Sequence, residues 1–480
     1  MPLPNIILIM SDNQQAATLG CYGNNEIYSP HLDALAAQGL RFDRAFCPNS
    51  FCSPCRASTL TGMLPSQHGV HSWIDDRKQH DWPNGWHALR GISTLPERLQ
   101  ACGYTTGLFG KYHLGETATA APGWNQWVTM HDGHVRTFYE NDIVDNGHGY
   151  VQPGHAVDFF TDKALEFIAS QSGPSFTYIP YPAPYGHWPA TNDGIRNRHS
   201  ERYDDCPMHT IPRHGISTAA VANYDLIKSQ SGGGLDFSML MRAPNHLPTL
   251  RNYYSQISLM DEAVGRIADA NPDALIIFTA DHGLSLGHHG FWGHGASTCP
   301  SNLHLAAHSI PMIIRTPHGN PGSSHSTLVS NMDLFATILD YVGTPATEDL
   351  PSRSFANLLN NQPLDNWGAD ELFAEQEETR VIRTAQWTFF KRFNKEGSPE
   401  LPNELYDAVN DREETTNLAN NPEHQASVQA LSAKIDQHFD RYARAEADLW
   451  RGGKPIQNTM VSNIWQQAWG NHWAPVYAYD

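Results

Sequence analysis

Short, uninterrupted apolar runs recur along most of the chain, and several of them end in polar residues. Asn5–Met10 reads NIILIM and is followed by Ser-Asp-Asn, while Ala274–Ala280 reads ALIIFTA and is followed by Asp-His. Similar runs occur in YTTGLFG, SFTYIPYP and HSIPMIIRTP. Apolar runs of this length without alternating polar residues are typical of strands that are covered on both faces, as in parallel sheets. The pattern therefore predicts buried strands, each followed by a polar loop.

Amphipathic segments with helix start and stop signals lie between these runs. In SPHLDALAAQG, Ser29 is a candidate N-cap, Pro30 suits the first helical position and Gly39 suits the position after the last turn. The segment STLPERLQACG has the same order of signals, and SNMDLFATILDYVG closes at Gly343. Strands that alternate with helices predict an α/β fold with a mostly parallel central sheet flanked by helices.

The pattern changes after about residue 370. TRVIRTAQWTFFKRF and NELYDAV alternate like antiparallel strands, and EHQASVQALSAKIDQHFDRYARA is typical of an amphipathic helix. We therefore predict two units, a main α/β domain over residues 1–370 and a smaller C-terminal α+β subdomain over residues 371–480. The aromatic-rich end, NIWQQAWGNHWAPVYAYD, is expected to pack on the body of the protein, or else to form a pocket wall or a subunit contact.

Composition and charge exclude several classes of protein. Fifty acidic against 31 basic residues give a net charge of −19, which argues against a general nucleic-acid binder. No apolar run approaches the roughly 20 residues of a membrane span. The start, MPLPNIILIMSD, has no signal-peptide pattern, so we expect a cytoplasmic protein, or a periplasmic or secreted one if the sequence is a trimmed mature form. Seven cysteines in 480 residues do not make a disulfide scaffold.

Polar pairs at two strand ends indicate a metal site. Asp12 and Asn13 follow the first apolar run, and Asp281 and His282 follow the run ALIIFTA. In open α/β sheets, ligands gather at the carboxyl ends of the strands. Three oxygen side chains with one imidazole favour Ca²⁺ or Mg²⁺ over zinc. Taken alone, an aspartate after a strand is more often a helix cap, so the prediction depends on the two pairs together.

The stretch NSFCSPCRASTLTG raises the question of what Cys52 does, since a cysteine there can be a metal ligand, half of a disulfide, a nucleophile or a buried apolar residue. A zinc site would use Cys47, Cys52 and Cys55. That interpretation is disfavoured, because no second well-spaced pair of ligands is present and because a proline and an arginine would lie within the site. The pattern around Cys52 favours a different interpretation.

Cys52-x-Pro54-x-Arg56, followed by Thr61-Gly62, resembles the signature of the type I sulfatases. In that family the cysteine is oxidised after translation to formylglycine, which requires a formylglycine-generating maturation enzyme. Other segments are similar to the family as well, namely PNIILIMSDNQQAATLGCYGN, GKYHLG, PAPYGHWP, TADHGLSLGHHGFWGHG and NELYDAVNDREETTNLA. The resemblance covers nearly the whole chain. It implies an alkaline phosphatase-like fold, with the sulfatase catalytic domain over residues 1–370, and a sulfuric ester hydrolase.

The resemblance also implies roles for individual residues. One divalent cation, Ca²⁺ in preference to Mg²⁺, is expected on the ligands Asp12, Asn13, Asp281, His282 and Cys52. The implied catalytic residues are Cys52, Arg56, Lys111, His113, His187 and His294. The metal, Lys111 and Arg56 would cradle the sulfate, because charge lies on its non-bridging oxygens. The implied nucleophile is hydrated formylglycine, His113 is a candidate base, and His187 or His294 is a candidate acid.

Two positions depart from the family pattern. Asn13 stands where a second aspartate is common, which removes one negative charge from the metal site. His294 stands where many members have a lysine after Trp-Gly, so the role of that lysine is open here. The alternative for His294 is a solvent-exposed loop residue, and His288 and His289 lie nearby.

The segment after the nucleophile, GVHSWIDDRKQHDWPNGWHALRG, mixes aromatic and charged residues. Aromatic rings that stack on sugars, beside groups that bind hydroxyls, suit a carbohydrate. We therefore predict substrate contacts from Trp73, Asp75, Arg77 and His80 and favour a sulfated saccharide over an aryl sulfate. The alternative is a packed surface loop. Competing functions are a phosphonate or phosphate ester hydrolase on the same scaffold and a non-catalytic binder of sulfated glycan. The sequence leaves the sugar, the sulfated position and the oligomeric state open.

Overall fold

The computed structural model describes residues 3–74, 76–133, 135–185, 195–212, 246–290, 292–295, 300–317, 322–364, 367–398, 400–455 and 462–476. The helices in these ranges are α1 (Pro30–Gln38), α2 (Cys52–Thr61), α3 (Pro65–His68), α4 (Leu95–Ala101), α5 (Ala156–Ser170), α6 (Leu247–Ala270), α7 (Leu305–His308), α8 (Asp333–Tyr341), α9 (Ala356–Leu359), α10 (Gln425–Tyr442) and α11 (Ser462–Trp469).

The strands fall into a first group up to β9 and a second group after it. The first group is β1 (Ile6–Asp12), β2 (Leu40–Phe42), β3 (Ala45–Phe46), β4 (Thr105–Gly110), β5 (Gln126–Met130), β6 (Asn141–Asp145), β7 (His148–Gln152), β8 (Ser175–Pro184) and β9 (Leu275–Ala280). The second group is β10 (Ser285–Leu286), β11 (Trp292–Gly293), β12 (Met312–Arg315), β13 (Ser323–His325), β14 (Val329–Ser330), β15 (Leu372–Gln376), β16 (Thr379–Arg383), β17 (Trp387–Arg392) and β18 (Glu404–Asp407).

Ten of the described strands form one large sheet in the order β13-β2-β12-β9-β1-β8-β4-β5-β6-β7. Strand β1 lies in the middle and runs parallel to both neighbours, with Ile6 opposite Phe176 of β8 and Leu275 of β9. On one side β12 is antiparallel to β9 and β2 is antiparallel to β12, and on the other side β6 and β7 are antiparallel to their inner neighbours. The prediction of a mostly parallel central sheet is therefore confirmed, and its antiparallel members lie outside the central strands.

The apolar runs are continuous because the central strands are covered on both faces. In β1, Ile7 and Ile9 belong to one buried cluster, and Leu8 and Met10 belong to another on the opposite face. Helices α1, α5 and α6 contribute to the first cluster, and helices α2, α4 and α8 contribute to the second. Burial of each such side chain stabilises the fold by about 1.5–3 kcal/mol, so a polar residue in the interior of β1 would destabilise the protein.

The N-terminus of α1 is stabilised differently from the sequence prediction. Ser29 makes no side-chain capping bond, and its hydroxyl instead accepts from the backbone N–H of Gly20 at 3.0 Å. The carboxylate of Asp261, on α6, accepts from the backbone N–H groups of His31 and Leu32 at 3.2 and 2.7 Å. The prediction that Ser29 caps this helix is therefore wrong, since a carboxylate from a distant helix satisfies its first N–H groups.

The C-terminal part contains a second sheet, which begins at Leu372 and is antiparallel throughout in the order β15-β16-β17-β18. Helix α10 packs on it through an apolar stripe that includes Leu431, Ile435 and Phe439. A further cluster, which contains Phe46 and Val381, joins this sheet to the main domain. The aromatic residues of α11 and its neighbours pack on the body of the protein, as expected.

Of the helices that the structure describes, none combines the length and the apolar character that a bilayer span requires.

Candidate active site

The two polar pairs predicted from the strand ends lie side by side. Asp12 is the last residue of β1, and Asp281 directly follows β9, which pairs with β1 in parallel. The backbone N–H of Asp281 donates to the carbonyl of Ser11 at 3.0 Å, and that of Gln14 donates to the carbonyl of His282 at 2.9 Å. Pairing of the two strands thus joins residues that are about 270 positions apart in the chain.

Four side chains at this edge of the sheet offer metal ligands. One ligand atom from each of Asp12, Cys52, Asp281 and His282 lies within 4.8 Å of the others, and all four residues are buried. Asn13 lies beside them, since its backbone N–H donates to Asp281 Oδ1 at 3.1 Å. Both polar atoms of the Asn13 side chain are buried without a hydrogen-bond partner among the described residues. A buried amide oxygen without a donor, next to two carboxylates, fits a hard divalent cation.

Arg56 connects the carboxylates of this cluster. Its Nη2 donates to Asp12 Oδ2 at 3.0 Å and to Asp281 Oδ2 at 2.8 Å, and its Nη1 donates to the carbonyl of Lys111 at 2.7 Å. Burial alone would lower the pKa of Arg56, but Asp281 and Asp12 outweigh it and raise the pKa. Burial would likewise raise the pKa of Asp281, whereas His282 and Arg56 lower it. Both groups therefore remain ionised, and Arg56 orients two carboxylates.

Lys111 follows β4 and brings a second buried cation to the site. Its Nζ donates to Asp12 Oδ2 at 2.5 Å, and it lies 4.9 Å from the centre of the Tyr185 ring. Burial would lower the pKa of Lys111, but Asp12 outweighs burial and raises it. The backbone N–H of Lys111 donates to the carbonyl of Pro180 on β8, the strand that lies between β4 and β1. The site therefore holds a protonated amine next to Cys52.

Cys52 is the first residue of α2, so its side chain lies at the positive end of that helix. Its Sγ is 3.3 Å from His282 Nε2 and 3.8 Å from Asp12 Oδ1. The Nδ1 of His282 donates to the carbonyl of Gly283 at 2.8 Å, which orients the ring so that Nε2 faces the cluster. Burial raises the pKa of the Cys52 thiol, and Asp12 raises it further, while Lys111 opposes the shift.

The other two cysteines of the zinc interpretation do not join Cys52. The thiol of Cys47 donates to the carbonyl of Ala307 at 3.8 Å, and that of Cys55 donates to the carbonyl of Asp281. The metal-competent cluster found within the described part of the chain contains Cys52 alone of the three. Cys47 and Cys55 thus contact backbone carbonyls, which agrees with the sequence argument against a zinc site.

Two predicted catalytic histidines are held near the cluster. His113 is 3 % exposed, and its Nε2 donates to the carbonyl of Ile74 at 3.0 Å. His294 is 4 % exposed, donates from Nδ1 to the carbonyl of Ser50 at 2.6 Å, and stacks on the His282 ring with centroids 4.0 Å apart. The structure therefore places His294 in the site, and the alternative of a solvent-exposed loop histidine is wrong.

The remaining predicted residues have different outcomes. His187 and Asp75 lie outside the described residues, and Arg77 lies in a short 3₁₀ segment, Asp76–Asp81. Trp73 packs against Phe51, the residue before Cys52, together with Ile464 of α11. The side chain of His80 is 74 % exposed and pairs with Asp81 at 3.3 Å. Trp73 thus lies next to the segment that contains Cys52, whereas His80 faces solvent, which does not support the prediction that His80 contacts the substrate.

Two buried residues that support the site were not predicted. The hydroxyl of Tyr253, on α6, donates to the carbonyl of Asn13 at 2.5 Å. The side-chain amide of Asn331 donates to the carbonyls of Ala280 and Asp281 at 2.9 and 3.2 Å. In the sequence Tyr253 is one apolar position of a helix and Asn331 precedes a helix, so neither carries a signal of function.

Comparisons with known proteins agree with this architecture. The model of the family Sulfatase matches residues 4–344, and that of the N-sulphoglucosamine sulphohydrolase C-terminal region matches residues 302–441. The chain is 23 % identical over 419 residues to an N-acetylglucosamine-6-O-sulfatase of Bacteroides thetaiotaomicron, which covers 75 % of this chain and 71 % of the relative. It is 24 % identical over 485 residues to a choline-sulfatase of Rhizobium meliloti, which covers 92 % of this chain and 88 % of the relative.

A solved structure shows the same fold. It is a complex with its substrate D-glucosamine-2-N,6-O-disulfate, and it superposes with a TM-score of 0.70 at 24 % identity, covering 92 % of this chain and 98 % of the other. The predicted alkaline phosphatase-like fold is thereby confirmed. With a family model that matches more than two-thirds of its length, the chain belongs to the sulfatase family and is a sulfuric ester hydrolase.

Proposed function

We propose that the protein hydrolyses a sulfate ester of a saccharide, with formylglycine made from Cys52 as the nucleophile and one Ca²⁺ ion as cofactor. The observation that carries the proposal is the position of Cys52 at the start of α2, with its Sγ 3.3 Å from His282 Nε2 within a cluster of metal ligands. A formylglycine-generating maturation enzyme is the partner that this requires.

Asp12, Asn13, Asp281 and His282, with residue 52, would hold the cation. Two carboxylates and an amide oxygen favour Ca²⁺, which takes oxygen ligands in flexible geometry, over Mg²⁺, which demands near-ideal octahedral geometry. When bound, the ion would supply positive charge to the sulfate oxygens and to the nucleophile. When hydrated, formylglycine supplies a hydroxyl that can attack sulfur.

The residues of the chain itself define the electrostatics of the reaction. Lys111 brings an ammonium group to the side of Asp12, where it can bind a sulfate oxygen. Arg56 is occupied by Asp12, Asp281 and a backbone carbonyl, so we assign it a positioning role. The acid and base steps are left to histidines, and His113 and His294 are the candidates within the described residues. His187 remains a candidate for the acid on the sequence resemblance.

Two observations support a sulfated saccharide as the substrate. The relative from Bacteroides thetaiotaomicron carries the name of a sulfatase of N-acetylglucosamine. In this protein, Trp73 packs against Phe51 directly beside Cys52, where an aromatic ring can stack on a sugar. The choline-sulfatase relative defines the main competing substrate, a small sulfate ester with a cationic leaving group.

Turnover of a substrate panel tests this proposal. Sulfated mono- and oligosaccharides, beginning with N-acetylglucosamine 6-sulfate, are compared with 4-nitrophenyl sulfate, choline sulfate and a phosphonate monoester by release of inorganic sulfate or phosphonate. We expect the highest kcat/KM on a sulfated saccharide. A higher value on choline sulfate would contradict the saccharide, and a higher value on the phosphonate would favour the competing hydrolase activity.

Replacement of His294 with alanine is expected to affect poor leaving groups most. If His294 protonates the leaving oxygen, the variant should lose about 10²- to 10⁴-fold in rate on a sulfated sugar. Its loss on 4-nitrophenyl sulfate should be much smaller, because nitrophenolate leaves without a proton. The measurement is kcat on both substrates for the wild type and the variant.

His289 offers a matched control, because its Nε2 interacts with the carbonyl of Glu413 in the C-terminal region. His289→Ala should therefore leave the ratio of the two rates unchanged. Equal losses on both substrates in His294→Ala would contradict the role in proton transfer and leave His187 as the better candidate for the acid.

A further inference from the structure

Two loop segments contact His113, and the first of them begins at Ile74. The backbone N–H of Ile74 donates to Ser53 Oγ at 3.0 Å, directly after Cys52 in the chain, and its carbonyl accepts from His113 Nε2 at 3.0 Å. Asp76 comes two residues later and is only 5 % exposed. These bonds hold the backbone of Ile74, two residues before Asp76, between Ser53 of α2 and His113.

The second segment consists of the described residues His131–Gly133 and Val135–Arg136. It passes so close to His113 that a Cβ on Gly133 would fall 2.1 Å from the Cδ2 atom of that ring. Arg136 extends from this segment towards the first one, with its Nη2 3.5 Å from Asp76 Oδ1 and its Nε donating to Asp132 Oδ2 at 2.6 Å. Its side chain is 57 % exposed, so the guanidinium pairs with a buried carboxylate and still faces solvent.

Further contacts fix the two segments relative to each other. Gln79 donates from Nε2 to Asp132 Oδ1 at 3.0 Å, and Asp132 in turn holds Arg136. The first segment bonds through Ile74 to His113 and to Ser53, the residue after Cys52, and the second lies against the His113 ring at Gly133. The Asp76–Arg136 pair is therefore anchored beside the site through these contacts.

We propose that Asp76 and Arg136 form the subsite that binds the sugar part of the substrate, with Asp76 accepting hydrogen bonds from ring hydroxyls and Arg136 donating to their oxygens. The proposal rests on the proposed function, since it concerns the alcohol that leaves from the sulfate ester. It assigns substrate specificity to Asp76, which lies between Asp75 and Arg77, two positions where the sequence predicts substrate contacts.

The chemistry of the pair favours a hydroxylated leaving group over an anionic one. Asp76 and Asp132 both lie on Arg136, so the subsite offers acceptors and donors for hydroxyls without an excess of positive charge. A second sulfate next to the ester would be repelled by the Asp76 carboxylate. An aryl leaving group without hydroxyls would form no hydrogen bonds with either side chain, so the pair would contribute to the binding of a sugar and not of an aryl group.

The test compares Asp76→Asn and Arg136→Gln on three substrates, namely N-acetylglucosamine 6-sulfate, 4-nitrophenyl sulfate and choline sulfate. We expect each variant to lose about 10- to 100-fold in kcat/KM on the sugar, the size of one or two hydrogen bonds to a charged group. On 4-nitrophenyl sulfate each variant should stay within about 3-fold of the wild type, which also shows that it is folded. Asp81→Asn, the same change at an exposed position of the same segment, should alter none of the three.

The outcomes separate this inference from the proposed function. Equal losses on the sugar and on 4-nitrophenyl sulfate would overturn it, and so would an unchanged kcat/KM on the sugar. A loss confined to choline sulfate would assign the pair to a cationic leaving group and overturn it as well. A wild-type enzyme that cleaves only 4-nitrophenyl sulfate would instead contradict the saccharide proposed above, independently of the variants.

Discussion

Replacing Cys52 with alanine is expected to lower kcat by about 10⁴-fold or more, the scale of loss when a catalytic nucleophile is removed. The fold should survive, because the change removes one sulfur atom whose contacts are His282 and Asp12 within the site. The loss should be equal on good and poor leaving groups, since every substrate needs the nucleophile. Sulfate release and thermal unfolding of the purified variant measure the two effects.

A separate measurement tests whether Cys52 is converted to formylglycine. Peptide mass spectrometry of active wild-type enzyme should find an aldehyde at residue 52 that reacts with a hydrazine probe. Cys47→Ala is the matched control, because Cys47 is equally buried but its thiol donates to the carbonyl of Ala307. It should retain both the aldehyde and activity within about 3-fold. A fully active enzyme that carries only unmodified thiol at Cys52 would refute the formylglycine proposal.

Replacing Asp281 with alanine is expected to remove the metal and with it most of the activity. The change deletes a carboxylate from the cluster and leaves Arg56 paired with Asp12 alone. Loss of a direct ligand should cost more than the about 10- to 100-fold in affinity that residues behind the ligands typically contribute. The calcium content, measured by elemental analysis after dialysis, should therefore fall from about one Ca²⁺ per chain to near zero. Activity should fall by about 10³-fold or more.

Stability must be separated from metal loss in this variant. Breaking a buried ion pair can destabilise a protein by about 3–5 kcal/mol, so Asp281→Asn, which keeps the shape and one acceptor for Arg56, is the second variant. Asp273→Ala is the control, because Asp273 lies exposed just before the same strand, at its other end. It should keep metal and turnover. Wild-type metal content in both Asp281 variants would show that the cation is held elsewhere.

Much of the fold and of the site is predictable from local signals. The apolar runs at Ile6–Asp12 and Leu275–Ala280 predict strands because burial on both faces leaves no polar alternation. The residues that follow the runs were predicted as metal ligands because strand ends collect ligands in such sheets. The motif around Cys52 predicts the nucleophile, since its residues are adjacent in sequence and require no knowledge of the fold.

Residues whose role depends on partners far away in the chain were not predictable in this way. Arg56 could have faced the sulfate or the carboxylates, and only the approach of β1 and β9 puts Asp12 and Asp281 on the same guanidinium nitrogen. Tyr253 and Asn331 support the site through backbone carbonyls, a contact that leaves no trace in side-chain patterns.

The sequence by itself thus determined the main elements and the family, because hydrophobic periodicity and short motifs act over a few residues. The tertiary structure decided which polar groups meet. Ser29 is a good N-cap by sequence, yet Asp261 from α6 takes that role at α1. Asp76 and Arg136 pair across 60 residues because two segments pack on His113. Such pairings follow from side-chain packing between distant segments, which residue spacing along the chain does not encode.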